Sequence, residues 1–160
     1  MSKPYENYEV IEDKRHIVLR CKICHEDTEL WPDYIVMERS NYNKGIIPCS
    51  CSASCRYTTK QLEILVKRQL EGTDYKFLGF KSYPPKSTTS ILLECPLCSK
   101  DSELFQLGDI IADRYRLGKT KFCGCGKKYV WSERQNTLRV ERKCQELDLT
   151  FIGWEVTTKV

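Results

Sequence analysis

Ile91-Leu92-Leu93-Glu94-Cys95-Pro96-Leu97-Cys98, closed 24 residues later by Cys123-Gly124-Cys125, is half of a pattern that this chain carries twice. Shifted back by 74 residues, the same frame reads Ile17-Val18-Leu19-Arg20-Cys21-Lys22-Ile23-Cys24, a 24-residue insert, then Cys49-Ser50-Cys51. C-x-x-C presents two sulfurs to one ion from a tight turn, and C-x-C supplies two more. The spacing therefore predicts two structural Zn2+ ions per chain. One is held by Cys21, Cys24, Cys49 and Cys51, the other by Cys95, Cys98, Cys123 and Cys125. Four sulfurs leave no open position for water, which marks a structural ion rather than a catalytic one.

Disulfides are the competing reading of these cysteines. The opening MSKPYENYEV does not resemble a signal peptide, and Cys-rich chains without one more often bind metal. An iron–sulfur cluster stays open, because four thiolates also suit iron. Cys55 and Cys144 stand outside the pattern, opposite Tyr129 and Leu70. Cys144 lies on a helical stripe and reads as a buried apolar residue. Cys55 could replace Cys51 as a ligand, although the repeat register favours Cys51. His25 aligns with Ser99 and reads as a polar surface residue.

The repeat divides the 160 residues into a first unit over 5–74, a second over 75–149, and a C-terminal strand over 150–160 that begins a partial third repeat. Units of this size bury little core and need the staple that a metal supplies. No apolar run approaches the length of a membrane span, and with so many free thiolates a cytoplasmic protein is expected. The formal charge is +4, but two four-thiolate zinc sites bring it to about zero. Basic residues nevertheless gather in the second unit: Arg114, Arg116, Lys119, Lys121, Lys127, Lys128, Arg134, Arg139, Arg142 and Lys143.

The correspondence runs ungapped from Ile17/Ile91 to Phe80/Trp154. It keeps Asp27/Asp101, Glu29/Glu103, Leu30/Leu104, Gln61/Gln135, Arg68/Arg142 and Gly79/Gly153. Ile17–Leu19 and Ile91–Leu93 read as strands entering the first knuckle, paired with Tyr8–Glu12 and Tyr75–Phe80. Thr28–Trp31 and Ser102–Phe105 read as returning strands. Pro32–Arg39 and Gly108–Arg116 read as short helices that bury Val36/Met37 and Ile110/Ile111. Thr58 with Gln61, and Ser132 with Gln135, read as capping boxes opening a longer helix. The first helix carries Leu62, Leu65, Val66 and Leu70, and its more polar twin Leu138, Val140, Cys144 and Leu147. The fold class is small α+β: two tandem zinc-ribbon-like repeats, each a β-hairpin with a four-cysteine site followed by a helix.

At YKFLGF, ILLECPLC, CGCG and Trp131-Ser132-Glu133-Arg134-Gln135 the chain resembles the CapR-type zinc repeats of tailed-phage proteins, which also occur beside homing-endonuclease domains. Residues 75–154 carry the fuller match. Over 5–74 the knuckle lacks the proline, and Tyr57-Thr58-Thr59 replaces Trp-Ser-Glu; both units lack the His-Gly that commonly follows the knuckle. The resemblance implies a small phage protein, zinc ligation at the eight cysteines, a role in holding DNA, and no catalytic residue.

The residues themselves also argue against an enzyme. Two histidines, His16 and His25, are too few for an H-N-H nuclease, and the P-loop, G-x-S-x-G and deaminase patterns are missing. Nucleic acid, DNA favoured, is the expected partner, met by Lys127, Lys128, Arg134, Arg139, Arg142 and Lys143 on and before one helix. Arg56, Lys60, Lys67 and Arg68 are the first unit's counterparts, and Tyr115, Tyr129 and Trp131 could stack on bases. The alternative is a small phage adaptor or inhibitor that binds a host protein. Neither a small-molecule substrate nor a membrane is expected.

Overall fold

A computed structural model describes residues 6–52, 55–127 and 129–155. Tyr5, Lys128 and 156–160, which the sequence reading included in a unit, a basic set and a strand, lie outside these. The chain divides into two compact units: Met1–Glu71 with Ser82–Thr89, and Gly72–Lys81 with Ser90–Val160. No helix among the described residues is long and apolar enough to cross a membrane.

The first unit is an antiparallel sheet in the order β1 (Tyr8–Asp13), β2 (His16–Cys21), β3 (Ile35–Glu38), with a short helix α1 (Arg39–Asn43) and a longer helix α2 (Thr59–Leu70). In β2 the alternation sends Ile17, Leu19 and Cys21 inward, where they meet Leu30, Trp31, Ile35, Met37 and Ile47 in one core. The second unit repeats this with β4 (Lys76–Phe80), β5 (Ile91–Glu94) and β6 (Ile111–Ala112), and helix α3 (Glu133–Glu146). The first strand of each sheet bulges, β1 between Val10 and Glu12 and β4 between Phe77 and Gly79. At the β4 bulge Gly79 takes φ 143°, a conformation that a Cβ disfavours.

The returning strands lie further on than expected. Thr28–Trp31 and Ser102–Phe105 form turns, because Asp27 and Asp101 take their backbone donors. Leu30 N–H donates to Asp27 Oδ1 (3.1 Å) and Leu104 N–H to Asp101 Oδ1 (3.0 Å). Trp31 N–H and Phe105 N–H donate to the carbonyls of the same two aspartates at 2.8 Å each. These are turns of the kind that Asp favours. The expected helices at Pro32–Arg39 and Gly108–Arg116 are instead β3 running into α1, and β6 running into a 3-10 turn at Arg114–Arg116. Burial follows a period of two: Ile35 and Met37 are inside and Val36 outside, Ile110 and Ala112 inside and Ile111 outside.

That pattern also corrects the ungapped correspondence. Ile17 pairs with Met37, and Ile91 with Ala112, so the third strands are related by 75 residues where the cysteines are related by 74. Gly45 and Gly118, both at φ 71°, are 73 apart, and one extra residue between Gly118 and Cys123 restores the offset of 74 at the second cysteine pair. An ungapped match would put Val36 opposite Ile110, and a one-residue slip exchanges the two faces of a strand.

Both capping boxes form as read, with the Thr58 and Ser132 hydroxyls accepting from the Gln61 and Gln135 N–H groups. Helix α2 buries Leu62, Val66 and Leu70. Helix α3 buries only Gln135; Leu138, Val140 and Cys144 are half-buried and Leu147 is exposed. Cys144 is therefore not the buried apolar residue expected. Thr150–Glu155 has no strand partner, yet Gly153 takes φ 132°, close to Gly79. This stretch keeps the backbone kink of β4 without its ladder. Trp154 Nε1 donates to Thr137 Oγ1 on α3 (2.9 Å), and Phe151 packs edge-on against Trp154.

Candidate metal centres

In each unit the first knuckle follows the middle strand and closes in a 3-10 turn, Cys24–Glu26 or Cys98–Lys100. Cys24 N–H points at Cys21 Sγ (3.4 Å), as a knuckle requires. The second cysteine pair arrives from the loop before the long helix. Cys21, Cys24, Cys49 and Cys51 bring their sulfurs within 4.8 Å of one another, and so do Cys95, Cys98, Cys123 and Cys125. In each set three sulfurs are buried, and Cys51 or Cys125 faces outward.

The separations decide against disulfides. Cys24–Cys51 and Cys21–Cys51 are 3.4 and 3.8 Å apart, Cys98–Cys125 and Cys95–Cys125 3.5 and 3.9 Å, and all ten cysteines are free. A bridge needs about 2.05 Å. A tetrahedral ion with metal–sulfur bonds of about 2.3 Å needs edges of about 3.8 Å. The charges agree with a cation. Burial, then hydrogen bonding and repulsion from Cys24 and Cys21, push the Cys51 thiol up. Burial and the Cys125 and Cys123 sulfurs do the same to Cys98. Within the same sets Cys24 and Cys123 are shifted down despite burial, by hydrogen bonds from Ser50 and Tyr75 among others. A bound cation would bring the raised thiols to thiolates beside them. Both sites thus fit a tetrathiolate-bound metal.

A second layer of polar contacts supports the sulfurs. Tyr8 Oη lies 2.9 Å from Cys49 Sγ, and Tyr75 Oη 3.3 Å from Cys123 Sγ. Burial and the neighbouring sulfurs raise both phenols, so each stays protonated and donates to a thiolate. Phe122 N–H donates to Tyr75 Oη (3.0 Å), which fixes the ring. Ser50 Oγ lies 2.9 Å from Cys24 Sγ. Its counterpart Gly124 has no room for a side chain, since a Cβ would fall 2.8 Å from Trp131 and 2.9 Å from Phe105. Sequence reading missed both tyrosines.

The identities outside the cysteines form one latch in each unit. Arg68 on α2 grips Asp27 with both terminal nitrogens and reaches Glu29 Oε2, while Gln61 Nε2 donates to the Leu30 carbonyl (2.8 Å). Arg142 on α3 likewise grips Asp101 and Glu103, and Gln135 Nε2 donates to the Leu104 carbonyl (3.0 Å). Gln and Arg stand seven residues apart, two helical turns, and so meet one turn of chain from one helix face. The Arg68 guanidinium and the Leu30 N–H hold Asp27 at about 2, and Arg142 and Leu104 do the same for Asp101.

The expected nucleic-acid residues are dispersed by these contacts. Arg142 belongs to the latch. Arg134 donates to the Glu103 and Leu104 carbonyls and pairs with Asp109. Arg139 lies 4.2 Å over the Trp131 ring, and Lys143 pairs with Glu146 (2.7 Å). Lys127 is exposed. Tyr129 and Trp131 pack with Phe105, and Tyr129 Oη donates to Gln135 Oε1 (3.2 Å), so both serve the fold. Tyr115, in contrast, is 63% exposed. His25 is not on the surface: Nε2–H donates to the Asp33 carbonyl (2.9 Å), and Tyr34 stacks over the ring. Cys55 packs beside the first core and is not among the clustered donors.

The CapR homology domain model matches residues 3–52 and 61–126, well over half of the chain. The protein belongs to the CapR homology domain family. Both matched segments end just past the second C-x-C cysteine, and the second begins inside α2 at Gln61. No curated protein matches the chain, and no solved structure does. Two CapR segments with two four-sulfur clusters make this a tandem metal-binding module.

Proposed function

We propose that this CapR protein is a non-catalytic, phage-type module that binds two structural Zn2+ ions and holds nucleic acid through its second unit. The knuckle spacing supports zinc, while a closed set of four sulfurs would also suit iron, and metal analysis of the purified protein distinguishes the two. The observation that carries nucleic-acid binding is the loop Arg114-Tyr115-Arg116-Leu117-Gly118-Lys119-Thr120-Lys121. It holds four basic residues and no acid, and Arg116, Lys119 and Lys121 are exposed. This loop, with Lys127, replaces the helix face expected from sequence, whose arginines are bound by carboxylates, carbonyls and Trp131.

Affinity for a nucleic acid should fall with salt at a log–log slope of about −2 to −3 if Lys119, Lys121 and Lys127 meet phosphates. The double variant Lys119→Glu/Lys121→Glu, checked for unchanged metal content, should abolish binding at 150 mM salt. A flat salt response in fluorescence anisotropy would count against the proposal.

A second reading, a phage adaptor that binds a host protein, draws on a different feature. A groove of about 340 Å3 on the first unit, lined by Trp31, Pro32, Tyr34, Val36 and Ile64, runs beside β3, which is an edge strand. Open strand edges accept an added strand, and apolar pockets alongside supply specificity. Capture of a host protein by the native chain but not by Val36→Lys would favour this reading.

A further inference from the structure

We propose that the nucleic acid held by the second unit is single-stranded, with a base stacked on Tyr115 and phosphates at Lys119 and Lys121; the inference rests on the nucleic-acid reading above. The two units make the comparison. Counted from Gly45 and Gly118, which share a φ of 71°, Tyr42 and Tyr115 occupy the same place in the repeat. Tyr42 packs against the first core, between Asn41 and Asn43. Tyr115 turns outward between Arg114 and Arg116. Past the glycine, the first unit continues Ile46-Ile47-Pro48 and the second Lys119-Thr120-Lys121. One scaffold thus carries an ordinary loop in one copy, and in the other an exposed aromatic among cations.

Hydrogen bonds brace the loop. Asp113 Oδ1 accepts from Tyr115 N–H (2.8 Å), and the Arg116 carbonyl accepts from Lys119 N–H (3.1 Å) and Thr120 N–H (3.3 Å). Lys119 and Lys121 line a groove of about 350 Å3 together with Tyr75, the exposed Leu97, and Cys95 and Cys125. These lysines could serve only to neutralise the thiolates. The first unit argues otherwise, since its four thiolates have Ile46 and Ile47 in the corresponding stretch.

Duplex recognition would ask for something else. A helix entering the major groove needs free side chains along one face. On α3, Arg134 and Arg142 are bound to the turn after the knuckle, Arg139 to Trp131 and Lys143 to Glu146. An exposed ring with cations and a groove is the arrangement that binds unpaired bases, because every base offers a face for stacking while phosphates meet lysines.

The test is fluorescence anisotropy of the metal-loaded full chain with labelled single-stranded DNA, single-stranded RNA and duplex DNA of one sequence, about 20 nucleotides long. At least one single strand should bind about tenfold tighter than the duplex. Tyr115→Ala should weaken single-strand binding by about tenfold with metal content unchanged, and Tyr115→Phe should restore it. The DNA and RNA arms identify which strand is taken, and either preference supports the proposal. A duplex bound as tightly as both single strands overturns single-strand selection, an inert Tyr115→Ala overturns stacking on that ring, and either result leaves nucleic-acid binding standing. No binding to any of the three overturns the nucleic-acid reading itself.

Discussion

Tyr8 at the start of β1 and Tyr75 just before β4 reach the metal sulfurs, and their hydroxyls are a direct means of tuning Cys49 and Cys123. Donors to metal-bound sulfur stabilise the thiolate and orient it. Tyr75→Phe should therefore weaken metal binding at the second site by about tenfold with the fold intact, measured by chelator competition. An unchanged affinity would make the phenol a packing group only. The eight cysteines were legible because C-x-x-C and C-x-C admit little variation in spacing. The tyrosines were not, since β1 and β2 are joined by two residues and β4 and β5 by ten, 81–90. That difference moves Tyr75 out of step with Tyr8 when the sequence is shifted by 74.

At the level of elements, the long helices are attached by polar latches as much as by apolar packing, α3 especially. Gln135 is 1% exposed; it caps its own helix, accepts from Tyr129 and donates to Leu104. Gln135→Ala should cost about 1 kcal/mol, because it strands half-buried partners, and denaturant unfolding would measure it. The Asp27 and Asp101 carboxyls are depressed to about 2, so the latches contribute stability above the ordinary carboxylate range. That contribution should fade as pH drops from about 4 toward 2. Asp101→Asn, which keeps an oxygen for the Leu104 N–H, should lower Tm by a few degrees at pH 7 and flatten this acid limb. An acid limb as steep as the native one would show that other groups carry it, the metal thiolates included. The five latch residues stood out in the sequence as repeated identities, but their common purpose is visible only once Gln and Arg face one turn. The third strands were misread because Pro32 and two adjacent apolar residues fit a helix, while the alternation that identifies β3 spans only four positions.

For the whole molecule, the two clusters share no residue, so each metal should stabilise its own unit. Cys98→Ser should leave one metal per chain, with the second unit unfolded and the first retained, as native mass and amide exchange would report. Structural zinc supplies on the order of 10 kcal/mol to a domain of this kind, more than a small core can replace. Retention of two metals in that variant would mean that Cys98 is not a ligand. The loops 40–48 and 113–122 both follow a third strand and lead to a buried cysteine, so they stand at the same place on a common chassis. Transplanting Arg114–Lys119 in place of 41–46, which keeps the buried Ile47, would then give one chain two tyrosines flanked by arginines. Bound to one strand, these would act at high effective concentration, and occupancy would depend on spacing between targets as well as on their chemistry.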